Sequence, residues 1–225
     1  MSAEGALAEQ EGWICLDVGE TLIDETRVWL LWAELLGVPA FTFLAAIGAS
    51  ISNAAEHQSA FEMVGRPNWR ELMPAFRERY GEFRESDLYP DVLPALAACR
   101  RLGFRIAILA NQPASRGAEL AALGIESDVS AMSDEMQLWK PDPQFFVRGL
   151  ELMGGPDPAN VAYIGDRLDN DVRPSLAAGM CAVWLRRGPW GVIGDADGPP
   201  NGTALVVHSL LELAQRTDEI WAKHP

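Results

Sequence analysis

The stretch Gly12-Trp13-Ile14-Cys15-Leu16-Asp17-Val18-Gly19-Glu20-Thr21-Leu22 decides how the rest of the chain is read. It is an apolar run that delivers a carboxylate, Asp17, into a turn. A lone aspartate at a strand end is most simply a loop acid. Three later segments, in order, give it another meaning: Arg105-Ile106-Ala107-Ile108-Leu109-Ala110-Asn111-Gln112, Trp139-Lys140-Pro141-Asp142-Pro143, and Val161-Ala162-Tyr163-Ile164-Gly165-Asp166 followed by Asp169, Asn170 and Asp171.

Short apolar runs of the same kind predict strands at 13–18, 105–110, 161–165, 181–185 and 204–207, with a weaker one at 128–132. Helical periodicity falls between them, at 92–102, 116–123, 143–153, 171–178 and 210–222. This alternation predicts an α/β fold, a doubly wound and mostly parallel sheet with helices on both faces. Such sheets bind ligands in the crevice beyond the carboxyl ends of their strands. Asp17, Asn111 and Asp166 each follow a strand end, so the pattern alone gathers them at one crevice.

One region breaks the alternation. From residue 23 to about residue 87 there is no strand signal, only helical periodicity at 28–36, 39–51 and 68–83. The economical reading is an inserted helical domain, residues 25–87, in an α/β core made of residues 1–24 and 88–225. Its helices are punctuated by Gly37-Val38-Pro39, Gly65-Arg66-Pro67 and Tyr89-Pro90, and its junctions fall near 23–25 and 87–89. Residues 188–203, rich in Gly, Pro and Asp, read as a surface loop.

Composition narrows the function. With 48% hydrophobic and 22% charged residues in a chain of 225, the protein is expected to fold rather than remain disordered. A net charge of −14 with only two lysines, Lys140 and Lys223, argues against nucleic acid or an anionic membrane as partner. Cys15, Cys99 and Cys181 lie far apart among apolar neighbours and read as reduced core thiols, which suits a cytoplasmic setting. Residues 1–12 lack the basic flank and apolar run of a secretory signal. The longest apolar stretch, 41–51, is well short of the ~20 residues that span a bilayer. Oligomeric state is not readable from the sequence.

From Trp13 to about Val207 the ordered segments resemble the haloacid dehalogenase (HAD) superfamily of hydrolases, which has a Rossmann-type core and often a helical cap at the position of this insertion. The resemblance implies a phosphatase-like enzyme acting on a small phosphorylated substrate with Mg²⁺ as cofactor. It makes Asp17 the nucleophile that forms an aspartyl-phosphate, splitting one difficult hydrolysis into two easier steps. Asp17, the Gly19 carbonyl, Asp166 and, in a supporting role, Asp171 are implied to hold the metal, for which hard oxygen donors are the appropriate ligands. Lys140 is implied to offset the repulsion among these acids and a phosphate, while Asn111 and Thr21 join it in binding the phosphoryl group. Read without the family, Asp171 is equally a first-turn helix acid, and Lys140 a surface lysine.

The chain departs from the family pattern at two positions. The family's phosphatases carry a second Asp two residues after the first, as general acid and base; here Gly19 stands there. Such a group contributes ~10²–10⁴-fold, so weakened turnover is expected, and Gly19→Asp is expected to raise it. Glu20, one residue along, is the alternative acid. The family's Ser or Thr before Asn111 is Ala110, which removes a hydrogen bond to phosphate. Three other readings follow. A catalytically silent HAD-fold binding protein would need neither missing group. A 2-haloacid dehalogenase uses an aspartyl ester but needs no metal, so the acidic segment at 165–171 points away from it. Phosphonatase chemistry needs an imine-forming lysine in the insertion, and residues 25–87 contain none.

Overall fold

The computed structural model describes residues 12–194 and 198–222; the expectation for the N-terminal segment lies, apart from Gly12, outside the described residues. Six strands form one parallel sheet: β1 (Trp13–Leu16), β2 (Arg105–Ala110), β3 (Val129–Met132), β4 (Val161–Gly165), β5 (Cys181–Leu185) and β6 (Leu205–Val207), in the order β3-β2-β1-β4-β5-β6. Each expected strand is present within two residues. The sheet is doubly wound, with β1 at its centre, and its strand order reverses between β1 and β4, where such folds open a crevice.

The central strand is buried on both faces, as parallel sheets are. Its alternation sends Ile14 and Leu16 into one layer with Ile106, Ile108, Ile164, Val183, Leu96 and Leu210. Trp13 and Cys15 point the other way, into a layer with Leu109, Tyr163, Phe145 and Phe146. The three cysteines are buried and unpaired. Among the described residues no single helix is long and apolar enough to cross a membrane.

The elements between β1 and residue 92 are helical: α1 (Thr26–Leu36), α2 (Ala40–Ser52), α3 (Ser59–Met63), α4 (Met73–Tyr80) and two single 3₁₀ turns at Trp69–Leu72 and Glu85–Asp87. They build an apolar cluster of their own from Trp29, Trp32, Leu36, Phe43, Ile47 and Phe61. Trp32 stacks on Phe76 at 4.5 Å, and Phe61 on Trp69 at 4.4 Å. α3 was not expected from the sequence. Its five residues are too few for a helical period to register.

Where the chain leaves and re-enters the sheet layer, its two crossings pair with each other. Ile23 bridges Leu88 in antiparallel fashion, Asp24 N–H donates to the Asp87 carbonyl at 2.8 Å, and Tyr89 N–H donates to that of Leu22 at 3.1 Å. Arg27 clamps the junction, donating to both Asp87 carboxylate oxygens (2.9 and 2.5 Å) and to the carbonyls of Tyr80 and Glu82. Burial opposes ionisation of Asp87, but hydrogen bonds from Arg27 and the Arg84 N–H outweigh it and hold the carboxyl below its usual range.

A group depressed in this way stabilises the fold above its unfolded pKa, and that stabilisation is lost as pH falls through the folded one. Asp87→Asn is therefore expected to cost about 1.5–3 kcal/mol at neutral pH, the range for hydrogen bonds to a charged group. The gap to wild type should start to narrow as pH falls to about 4, the ordinary range of the Asp carboxyl, and close as it passes the lower folded value. Urea denaturation of both proteins at the two pH values checks this; a gap independent of pH would assign the effect to something other than charge.

One expectation needs correction. Within the stretch read as a loop, Gly188–Ile193 forms a helix that packs on α2, and Trp190 reaches Trp29 at 6.0 Å and His57 at 6.4 Å between ring centroids. Gly and Pro suppress helix propensity. Here the apolar contact with the helical insertion overrides it.

Candidate active site

Asp17 follows β1, and its N–H donates to the Ile164 carbonyl at 2.9 Å, tying the turn to β4. Asp166 follows β4, with its carbonyl held by the Trp184 indole N–H at 2.9 Å. The chain then makes a wide helical turn, Leu168–Val172, in which Val172 N–H reaches five residues back to the Arg167 carbonyl. Turns of this kind concentrate at functional sites. This one returns Asp171 over Gly165, where a Cβ would lie 2.3 Å from the Asp171 carboxyl carbon; only glycine lets the acid approach so closely. Oxygens of Asp17, Asp166 and Asp171 lie within 4.8 Å of one another.

Lys140 joins them from the segment between β3 and the helix that begins at Pro143. Its Nζ donates to Asp17 Oδ1 at 2.7 Å and to Asp171 Oδ1 at 2.6 Å, with 2% of the side chain exposed. Burial alone would discharge this lysine, but the two carboxylates hold its pKa well above the usual value. The surface-lysine alternative is thereby overturned. The position is set by Asn111, whose side-chain amide accepts from Lys140 N–H at 2.8 Å and donates to its carbonyl at 2.9 Å. Just beyond, the Asp142 side chain caps the following helix, Pro143–Leu152, through Gln144 N–H.

The acids are unequal. Burial pushes the Asp171 carboxyl up to about 6, with Lys140 opposing, and Arg167 N–H occupies its second oxygen at 3.0 Å. Asp166 is raised well above the ordinary value by burial and by the charges of Asp171 and Asp17. Its Oδ2 is buried without a hydrogen-bond partner. An orphaned buried carboxylate oxygen facing two further acids is the donor set of a hard divalent cation.

Asp17, Asp166 and Lys140 open into a cleft of about 440 Å³ that Trp29, His57, Trp190 and Arg167 also line. A separate groove beside the Arg27–Asp87 junction holds none of the strand-end acids. Two sequence assignments sit differently from expectation. Thr21 is fully buried, lies outside the cleft lining, and its hydroxyl makes no hydrogen bond. Asn111 lines the cleft, but its side-chain amide is bonded on both sides to the lysine backbone.

Gly19 has no side chain to offer, yet the space beside it is filled. A Cβ built there would lie 2.6 Å from Glu25 Oε1 and 3.0 Å from the Glu25 carboxyl carbon. Glu25, a half-buried residue at the entrance to α1, directs its carboxyl inward. Burial, then the charges of Glu20 and Asp17, push this acid up to about 8. Glu20 itself is turned to the junction by a positive φ of 51°, accepting from Tyr89 OH at 2.5 Å and from Glu25 N–H at 3.0 Å. Sequence reading used Glu25 only as a boundary and passed over Trp190 and Arg167. The available signal for Glu25 was an acid eight residues after Asp17, next to a motif that lacked one.

A doubly wound parallel sheet, with three acids and a buried lysine gathered where its strand order reverses, defines the class: an α/β protein with an acidic, cation-ready crevice. The chain belongs to the haloacid dehalogenase-like hydrolase family, whose model matches residues 13–179. It is 34% identical over 170 residues to a phosphoserine phosphatase of Thermus thermophilus, covering 74% of this chain and 66% of that protein. It is 35% identical over 105 residues to a glyceraldehyde 3-phosphate phosphatase of Methanopyrus kandleri, covering 45% of each. The matches thus span less than two thirds of either relative. Among solved structures, a predicted phosphoglycolate phosphatase from Haemophilus somnus superposes with a TM-score of 0.70 at 20% identity, covering 92% of this chain and 98% of that one. A 2-haloacid dehalogenase from Pseudomonas syringae gives 0.56 at 21%, covering 96% and 100%. At such identities these structures establish the fold alone.

Proposed function

We propose that the chain is a Mg²⁺-dependent phosphatase of the HAD type, acting on a small phosphorylated metabolite through an aspartyl-phosphate on Asp17. The observation that carries this reading is the strand-end cluster itself: Asp17 and Asp166 flank the switch point, Lys140 bridges Asp17 and Asp171, and one Asp166 oxygen is orphaned. Asp17, Asp166 and the Gly19 carbonyl would hold the metal, with Asp171 in support. Bound there, the ion would neutralise the acids and polarise the phosphoryl oxygens.

The chain's own residues do the rest. Asp17 presents one oxygen to phosphorus, and Lys140 orients that carboxylate through its contact at 2.7 Å. Asn111 fixes Lys140 through its backbone, and its own N–H is the remaining donor for a phosphoryl oxygen where Ala110 offers none. The helices of residues 25–87 serve as a cap, and Trp29, His57, Trp190 and Arg167 receive the remainder of the substrate. The phosphatase relatives support this chemistry, and the acid cluster favours it over metal-free dehalogenation.

Gly19 and Ala110 favour a second reading, a catalytically silent binding protein. Turnover on a panel of phosphate monoesters, with Mg²⁺ and with EDTA, separates the two: the proposal expects activity that EDTA removes and Mg²⁺ restores. Mg²⁺ should also raise the melting temperature, since a ligand bound only by the folded state stabilises it, and Asp166→Asn should abolish that rise. Turnover insensitive to EDTA would overturn the metal assignment, and absence of any turnover the enzymatic one.

A further inference from the structure

We propose that Glu25, at the entrance to the helical insertion, is the general acid and base of the reaction, supplying from α1 the carboxyl that position 19 lacks. The inference rests on the phosphatase reading above. Expelling an alkoxide requires a proton, and hydrolysing the aspartyl-phosphate requires one to be taken from water. Several groups in and beside the cleft are already committed, and Glu56, which also lines it, is exposed to solvent. Glu20 is bonded to Tyr89 and to Glu25 N–H, Asp171 to Lys140 and Arg167 N–H, and Lys140 to two acids. His57 packs edge-on against Trp29 and Trp190. Among the described residues the Glu25 carboxyl has no hydrogen-bond or ion-pair partner, and it lines the same cleft as Asp17.

Its placement is built rather than incidental. The carboxyl occupies the space into which a side chain on residue 19 would project. Its backbone is pinned by Glu20 Oε1, and Glu20 is pinned in turn by Tyr89 from the returning segment of the junction. Glycine at 19 and glutamate at 25 are therefore complementary, since a larger residue at 19 would displace the carboxyl.

In the first step Asp17 forms its bond to phosphorus, the bond from phosphorus to the leaving oxygen breaks, and Glu25 gives its proton to that oxygen. In the second, water attacks the phosphorus of the aspartyl-phosphate and Glu25 takes a proton from it. The bond from phosphorus to Asp17 breaks, inorganic phosphate leaves, and both acids are restored.

The test compares an aliphatic phosphate monoester, whose alkoxide must be protonated, with p-nitrophenyl phosphate, whose phenolate leaves unaided. Glu25→Gln is expected to lower kcat on the aliphatic ester by ~10²-fold or more. On p-nitrophenyl phosphate it should give a burst of about one phenolate per enzyme followed by slow turnover, with the phosphoryl group held on Asp17 and visible by intact mass. A merely structural role produces no burst. Gly19→Asp with Glu25→Ala should recover turnover of the aliphatic ester relative to Glu25→Ala alone, whereas Gly19→Asp in the wild-type background, in place of the rise expected from the sequence, should bring no gain, because the Glu25 carboxyl takes the space. Equal loss on both esters without a burst, unchanged rates, or failure of the paired variant would overturn the inference while leaving the phosphatase reading intact. A wild-type protein that turns over neither ester overturns both.

Discussion

Asp17→Asn is expected to remove turnover almost completely, by about 10⁴–10⁶-fold in kcat, the scale on which enzymes lose rate when a covalent nucleophile is deleted. An amide does not attack phosphorus, and the neighbouring acids are occupied: Asp171 is bonded to Lys140 and to Arg167 N–H, and Asp166 is given to the metal in the proposed reading. The substitution keeps the shape of the side chain and leaves an oxygen for Lys140, so the melting temperature should change little. Phosphoryl transfer from p-nitrophenyl phosphate, followed with intact-mass detection of phosphoenzyme, is the measurement. A variant that still accumulates phosphate on the protein would transfer the nucleophile's role to another residue.

Lys140→Met should give the largest loss of stability of any single change at the site. Methionine fills the space of the lysine stem but leaves Asp17 and Asp171 buried without their shared cation. Removing one partner of a buried ionic network typically costs about 3–5 kcal/mol, because the charges left behind remain desolvated. Denaturant titration in EDTA reads this cost. Mg²⁺ should recover part of it, since a divalent ion offers the acids the positive charge that the lysine supplied. Turnover should fall in parallel even where Mg²⁺ restores the fold, because the orientation of Asp17 depends on the Nζ contact at 2.7 Å. Full stability in EDTA would overturn the role of Lys140 as the charge that holds the two acids together.

Much of this site was legible because parallel sheets make sequence and position nearly equivalent. Each buried strand ends at the same edge, so a polar group that ends an apolar run is placed there by topology alone. That is why Asp17, Asn111 and Asp166 were gathered correctly without coordinates. Lys140 was legible for a different reason: a rare lysine in a proline-stiffened turn has few conformations and few reasons to be surface decoration. The helix at Gly188–Ile193 was not legible, since its residues carry low helix propensity and only contact with α2 stabilises it. Nor was the fate of Asn111, whose side chain was expected at the phosphate and instead holds the lysine backbone.

The sequence by itself determined the sheet, its crevice and the acids along the crevice edge, because continuous apolar runs and the polar residues that end them are local properties of the chain. Only the tertiary structure decided which carboxyl fills the space beside Gly19. Glu20 is nearest along the chain, but a left-handed turn and the Tyr89 hydroxyl draw it to the junction. Glu25 is further along, but the paired crossings of the insertion fold it back over the turn. Distance along the chain says little about distance in space once two segments 65 residues apart, at Ile23 and Leu88, are bridged.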